Sequence, residues 1–167
     1  VLDQTQLPHK EVWLESPDPA TMVRLIKNLS VRGAPLIGVA AALQLGQLAE
    51  QGGHGFEVAL TDLFEARPTA VNLMRAVLRL REVWRKDGLV AVAAEAEKIA
   101  REDVELSRSL SENGLSVIRE GDRVLTHCNT GGLATAGVGT ALGVLIEAGR
   151  RNLNIHVYAD ETRPLLQ

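Results

Sequence analysis

Residues 123–159 read RVLTHCNTGGLATAGVGTALGVLIEAGRRNLNIHVYA, and the fold class rests on them. Residues 123–127 read as a strand, a glycine-rich loop follows, and residues 135–149 read as a helix. Residues 155–159 read as a second strand. Strand, helix and strand in succession make one βαβ unit, whose two strands should run parallel. In open α/β sheets, ligands bind beyond the carboxyl ends of the strands. Two loops occupy that edge here, 127–135 and 160–167.

Upstream the grammar is helical. Residues 1–16 read as extended, with a turn at Pro8 between short apolar stretches. Asp18 and Pro19 then open a helix as N-cap and first helical residue, with Met22, Leu25, Ile26 and Leu29 at helical spacing. Residues 30–35 interrupt it, because the residue before Pro35 is steered away from helical angles. Residues 36–50 predict a helix apolar almost all round, hence central and buried. Its Gly38 and Gly46 permit close backbone approach. Gly52-Gly53-His54-Gly55 breaks the chain before a short helix over 56–66, and Arg67-Pro68-Thr69 breaks it again. Helices over 70–86 and 89–113 follow. The second sets Ala93, Ala96, Ala100, Val104 and Ser107 on one face and ends or kinks at Asn113-Gly114.

The expected fold class is α/β. A mainly helical N-terminal domain over 1–118, with a short extended segment at its start, precedes the beginning of a Rossmann-like parallel-sheet domain over 119–167. Two short strands cannot hold a sheet alone, and a parallel sheet needs helices on both faces. The α/β domain is therefore expected to be truncated. The chain also has no initiator Met, its first being Met22. It is expected to be part of a longer protein, with further site residues outside it.

Composition excludes several partners. The net charge is −3, with acids and bases interspersed, which argues against a nucleic-acid or anionic-membrane surface. Two Trp, two Phe and one Tyr offer no stacking platform for bases. The most apolar run, 36–45, is about half the roughly 20 residues a membrane span requires. No signal peptide is visible at Val1-Leu2-Asp3-Gln4. One cysteine cannot form an internal disulfide. The expectation is a cytoplasmic protein with no nucleic-acid or membrane partner.

Cys128 is the first candidate for chemistry. Its loop gathers a thiol, the Asn129 carboxamide, hydroxyls and glycines beside an expected helix N-terminus, which favours anions and lowers a thiol pKa. The alternative is a small buried Cys at a strand end, beside a turn that merely feeds a helix. The loop matches neither a P-loop, which needs a Gly-Lys-Ser/Thr ending, nor a dinucleotide fingerprint. In Val31-Arg32-Gly33-Ala34-Pro35, Arg32 and the residue after it offer a guanidinium and an open backbone N–H together. That pairing suits a phosphate or carboxylate; the alternative is a connecting turn with a solvated Arg. Arg67, in Arg67-Pro68-Thr69-Ala70, is a second loop arginine at a helix start, where an anion is welcome. Asp160-Glu161-Thr162-Arg163-Pro164 should reach the same edge as Cys128, or else form a surface turn with an internal Glu–Arg pair. His9, His54, His127 and His156 have no metal-ligand spacing with Cys128, so no metal site is expected. His127 is poorly placed as a base for the thiol, since adjacent strand residues face opposite ways.

Together and in this order, four motifs resemble a known family. They are Arg32-Gly33-Ala34-Pro35 with Ile37-Gly38-Val39-Ala40-Ala41, then Arg67-Pro68-Thr69-Ala70-Val71-Asn72-Leu73, then residues 125–139 (LTHCNTGGLATAGVG) and 159–167 (ADETRPLLQ). They resemble the N-terminal part of the methylthioribose-1-phosphate isomerases, the aldose–ketose isomerases of methionine salvage. These enzymes are related to ribose-1,5-bisphosphate isomerases and to the regulatory subunits of translation initiation factor 2B. The resemblance runs along nearly the whole chain; Gly132, where the pattern has Ala, is one departure.

The resemblance implies isomerisation of 5-methylthioribose 1-phosphate to 5-methylthioribulose 1-phosphate, without a cofactor, by a homodimer. It implies that Arg32, the Gly33–Ala34 backbone and Arg67 bind the substrate phosphate, that Gln167 also contacts substrate, and that Cys128 is the catalytic thiol. The family's aspartate proton donor is expected beyond Gln167, and Asp160 does not match its motif. One alternative is the bisphosphate isomerase, which differs in what contacts the sugar's C5 end. The other is a non-catalytic regulatory subunit, against which the intact Cys and arginine motifs argue.

The implied chemistry suits these residues. Phosphate on the anomeric oxygen prevents opening through a free hemiacetal, so the site must assist ring opening. Hydrogen must then move from C2 to C1, through a phosphate-bearing enolate or a hydride shift. Both routes develop charge that positioned groups in a dry pocket stabilise. Two arginines on the phosphate would supply orientation.

Overall fold

The structure, a computed structural model, describes residues 1–161. It divides into two compact units, Val1–Glu102 and a second from Asp103 onward. This division falls inside a helix, whereas the sequence turns from helical to strand-bearing only after 118.

The first unit begins with an extended segment folded back on itself. Asp3 N–H donates to the Val12 carbonyl and Leu14 N–H to that of Val1, both at 2.8 Å, around a Leu2–Trp13 antiparallel bridge. Gln4 N–H donates to the Ser30 carbonyl at 3.0 Å, tying the segment to the chain beyond the first helix. That helix, α1 (Pro19–Lys27), opens as its sequence predicts. The Asp18 carboxylate accepts from Thr21 N–H at 2.7 Å, and Pro19 sits where a missing N–H leaves no bond unmade. Met22, Leu25 and Ile26 are buried, while Leu29 falls beyond the helix with a φ of 63°.

α2 (Ala34–Glu50) starts at Ala34 rather than 36. Pro35 falls in its first turn, where no intrahelical N–H bond is lost. The break is taken up instead by Gly33, whose φ of 111° a residue with a Cβ adopts only under strain. α2 is the buried centre of the unit, as its apolar circumference predicts. α3 (Phe56–Ala66), α4 (Val71–Asp87) and the first half of α5 (Leu89–Gly114) complete the helices of this unit, and Leu45, Leu63, Leu73, Leu80 and Val92 are fully buried in its core. Each such side chain contributes roughly 1.5–3 kcal/mol relative to exposure. Both glycines of α2 mark close approaches. A Cβ on Gly38 would lie 2.8 Å from the Asn72 carbonyl oxygen, and one on Gly46 2.8 Å from Ala96 Cβ. Arg79 of α4 grips α5, donating to both Glu102 carboxylate oxygens at 2.5 and 3.0 Å and to Glu95 at 2.6 Å. Of the α5 face expected from spacing, Ala96 and Ser107 are buried but Val104 is 44% exposed.

In the second unit β1 (Arg123–Thr126) and β2 (His156–Ala159) pair in parallel, with Arg123 opposite His156 and Thr126 opposite Ala159. This is the pairing a βαβ unit requires. α6 (Ala141–Arg150) connects them, but it starts at Ala141 and not at 135. The reason is local bonding: the Thr135 hydroxyl accepts from Gly137 N–H at 3.2 Å and Gly139 N–H at 3.1 Å. Such side-chain bonds compete with the helical ladder. The loop also makes a 3₁₀ turn at Gly132–Ala134 and a bridge between Gly131 and Gly139. The C-terminal half of α5 packs closely against it, since a Cβ on Gly137 would lie 2.9 Å from Ser107 Cβ. The described chain is mostly helical with a small parallel two-stranded sheet. None of its described helices is long and apolar enough to cross a membrane.

Candidate active site

Arg32 lies between α1 and α2 and is buried, so it is not the solvated arginine of a connecting turn. Its Nη2 donates to the Gln4 carbonyl at 3.0 Å, and Gln4 Nε2 donates back to the Arg32 carbonyl at 3.2 Å. Burial pushes the guanidinium below its ordinary value, and the charge of Asp3 acts the other way. An arginine remains cationic under either influence. Burial likewise pushes the Asp3 carboxyl up. Bonds from the Thr5 hydroxyl at 2.7 Å and Thr5 N–H at 3.0 Å, with Ser30 and Arg32, outweigh this and hold it below the usual carboxylate range.

Gly33 turns the chain from Arg32 into α2, where Ala34 is exposed. Arg67 ends α3, and its carbonyl accepts from Ala70 N–H at 2.9 Å, turning the chain directly into α4. Neither α2 nor α4 carries a side-chain N-cap. The approach of Gly38 to Asn72 sets the starts of these helices side by side, so the two arginine loops lie at one end of the unit. Positive helix ends and two cationic side chains make that end attractive to an anion such as a phosphate. An open hollow of about 490 Å³ against Leu14, Met22 and Leu43 contains none of these residues.

In the second unit, Cys128 follows the end of β1 with a φ of 71°, in the left-handed region that residues with a Cβ rarely adopt. It is exposed, unlike a structural thiol at a strand end. Threonines fix its loop. The Thr126 and Thr130 hydroxyls are 3.2 Å apart, and the Thr130 carbonyl accepts from Thr140 N–H at 2.8 Å, folding the loop onto the start of α6. Gly139 permits this, since a Cβ there would lie 2.6 Å from the Thr130 carbonyl oxygen. His127 Nδ1 pairs with the Asp160 carboxylate, so the loops following β1 and β2 meet at the carboxyl edge as expected.

A sequence profile describing the initiation factor 2 subunit family matches residues 30–167. The chain belongs to this family. It is 46% identical over 170 residues to the methylthioribose-1-phosphate isomerase of Yersinia pestis (strain Pestoides F), a match covering 100% of this chain and 49% of the relative. The crystal structure of 5-methylthioribose 1-phosphate isomerase from Pyrococcus horikoshii matches 95% of this chain and 56% of that one, with a TM-score of 0.83 at 29% identity. The crystal structure of translation initiation factor eIF-2B, subunit delta, from A. fulgidus matches 100% of this chain and 53% of that one, with a TM-score of 0.80 at 38% identity. The chain spans about half the length of the curated relatives it matches.

Of the candidate residues in this family member, Arg32, Gly33, Ala34 and Arg67 gather at one end of the first unit. Cys128 stands in the second, on the carboxyl edge. Gln167 lies outside the described residues, as does Arg163 of the expected Glu161–Arg163 pair. Sequence reasoning missed Asp3 and Gln4, which sit in a stretch read only as extended. The available signal was Asp3-Gln4-Thr5, an acid two residues before the N–H it accepts from, which is the pattern of an Asx-turn. It also missed the pairing of His127 with Asp160, because nothing local connects them.

Proposed function

We propose that this chain carries the phosphate-binding and thiol-bearing parts of a methylthioribose-1-phosphate isomerase. The protein converts 5-methylthioribose 1-phosphate to 5-methylthioribulose 1-phosphate in methionine salvage. The observation that carries this reading is the identity to the Yersinia isomerase along the whole chain. The buried, cationic Arg32 beside two uncapped helix starts supports it.

Arg32, the N–H groups of Gly33 and Ala34, and Arg67 hold the phosphate, and Gln167 adds a further contact to substrate. Holding the phosphate on the anomeric oxygen also holds C1, the carbon that must be released from the ring. After ring opening one hydrogen leaves C2 and one arrives at C1. The change is isomeric, so no external oxidant or reductant is consumed, and the reaction runs without a cofactor as the resemblance implies. Cys128 is the catalytic thiol, and the charge that develops on the sugar is stabilised by groups fixed in position before substrate arrives. The βαβ unit begins a Rossmann-like domain over 119–167, following a helical domain over 1–118. The protein works as a cytoplasmic homodimer with no nucleic-acid or membrane partner.

The identity of 38% to an archaeal initiation factor 2B delta subunit favours one second reading, a non-catalytic regulatory subunit. The full-length protein, assayed side by side with methylthioribose 1-phosphate and ribose 1,5-bisphosphate, separates these. Ketose formation with preference for the first sugar is expected. Preference for the second makes the protein a bisphosphate isomerase. Turnover of neither, together with stable hetero-complex formation, makes it a regulatory subunit and ends the isomerase reading.

A further inference from the structure

Arg32 is buried together with Ser30 beside it and with polar residues from the distant N-terminal segment. Arg32 is 4% exposed, and Asp3, Gln4 and Ser30 are 8%, 2% and 6% exposed. Polar groups are costly to bury unless they bond to one another, and these do. The Gln4 N–H donates to the Ser30 carbonyl at 3.0 Å, and its Nε2 donates to the Arg32 carbonyl at 3.2 Å. The Gln4 carbonyl in turn accepts from Arg32 Nη2 at 3.0 Å. The N-terminal segment thus grips Arg32 by both its backbone and its guanidinium. Asp3, fixed by its bonds from Thr5, adds an opposite charge that acts on the guanidinium.

An arginine side chain has several rotatable bonds, and an anion that must order them on arrival binds more weakly. Here the ordering is done when the chain folds. A guanidinium has five N–H donors in a rigid fork, so it can rest on a carbonyl and still meet an anion. We propose that Gln4, aided by the charge of Asp3, is a positioning residue that pre-orders Arg32 for the substrate phosphate. This rests on the assignment of Arg32 to the phosphate made above. The segment therefore contributes to substrate affinity through Arg32, without touching substrate.

Two substitutions test it in the full-length protein. Gln4→Leu keeps the volume and removes the donor to the Arg32 carbonyl. Asp3→Asn keeps an oxygen for Thr5, removes the charge and exchanges the other carboxylate oxygen for an NH2 group. KM for methylthioribose 1-phosphate and the dissociation constant of inorganic phosphate, by calorimetry, are measured for each variant. Arg32→Ala is measured alone and combined with each. Gln4→Leu is expected to raise both constants about tenfold and Asp3→Asn about threefold, with kcat within about twofold of the parent. Neither should add to the loss of phosphate affinity in the Arg32→Ala background. A lowered melting temperature with both constants unchanged marks a merely structural contact and overturns the proposal. So does an equal effect with and without Arg32. If Gln4→Leu does not fold, Asp3→Asn decides by the same criteria. Unchanged constants in Arg32→Ala remove Arg32 from the phosphate site, and the proposal falls with that reading. Sensitivity to Arg32 with indifference to Gln4 and Asp3 overturns the proposal alone.

Discussion

Gly38 in α2 lies so close to Asn72 in α4 that a methyl group on it would come within 2.8 Å of the Asn72 carbonyl oxygen. The obstacle is backbone, which cannot rotate away. This contact sets the two arginine loops at one end of the first unit. Gly38→Ala should push the helices apart, costing about 1–3 kcal/mol and raising KM for the sugar phosphate. Denaturant unfolding and steady-state kinetics check both. Parental stability with parental KM would show that the close approach is dispensable.

Gly139 holds the second unit's loop in a comparable way. Its φ is 101°, and an added Cβ would lie 2.6 Å from the Thr130 carbonyl oxygen. Gly139→Ala combines backbone strain with a clash, and strain of this kind costs of order 1–3 kcal/mol. Turnover should fall sharply while calorimetric affinity for inorganic phosphate stays near the parental value. Loss of phosphate affinity instead would mean the arginine loops depend on this turn.

Cys128 should be indispensable to turnover and dispensable to folding. Cys128→Ala is expected to abolish ketose formation while substrate still binds. Cys128→Gly should also be inactive but should melt at or above the parental temperature, because the φ of 71° suits glycine. Unchanged turnover in either variant removes the thiol from the reaction.

Acid should weaken the grip on Arg32. The Asp3 carboxyl is held below its usual range in the folded chain. Its stabilisation is therefore complete above the unfolded carboxylate value of about 3.9 and is lost as pH falls through the folded value. The stability gap between the parent and Asp3→Asn at neutral pH should narrow as the pH drops below about 4. A gap constant across that range would show that the charge of Asp3 contributes nothing.

The pairing of Arg79 with Glu102 is half exposed, with the two side chains 35% and 45% accessible, so solvent screens it. Glu102→Gln should cost only about 0.5–1 kcal/mol. That difference should shrink in 1 M salt, where the screening length falls to about 3 Å. Thermal melts at low and high salt measure it. A larger, salt-independent loss would point to packing rather than charge.

The parallel βαβ unit was legible because each of its signals is local. Val124 and Leu125 mark one strand, Val157 and Tyr158 the other, and an intervening helix dictates parallel pairing. The start of α6 was not legible, because periodicity cannot register the Thr135 hydroxyl capturing the N–H groups of Gly137 and Gly139. The start of α2 failed differently. The steering of Ala34 by Pro35 is a local preference, and placing the break at Gly33 overrides it. The arginine loops announced themselves by residue type. That they share one end of the unit depends on Gly38 meeting Asn72, which lies far along the chain. The burial of Arg32 likewise depends on Gln4, 28 residues upstream, and His127 meets Asp160 across 33 residues.

The left-handed backbone at Cys128 sets two demands against each other on one residue. Folding asks for a hydrogen atom at that position, and the proposed reaction asks for sulfur. By backbone conformation alone, position 128 suits glycine better than cysteine. Arg32 differs, since losing its side chain takes the guanidinium from the buried Gln4 carbonyl that accepts from it. Of the two proposed ends of the site, one is thus held by the architecture it belongs to, and the other stands against its own backbone.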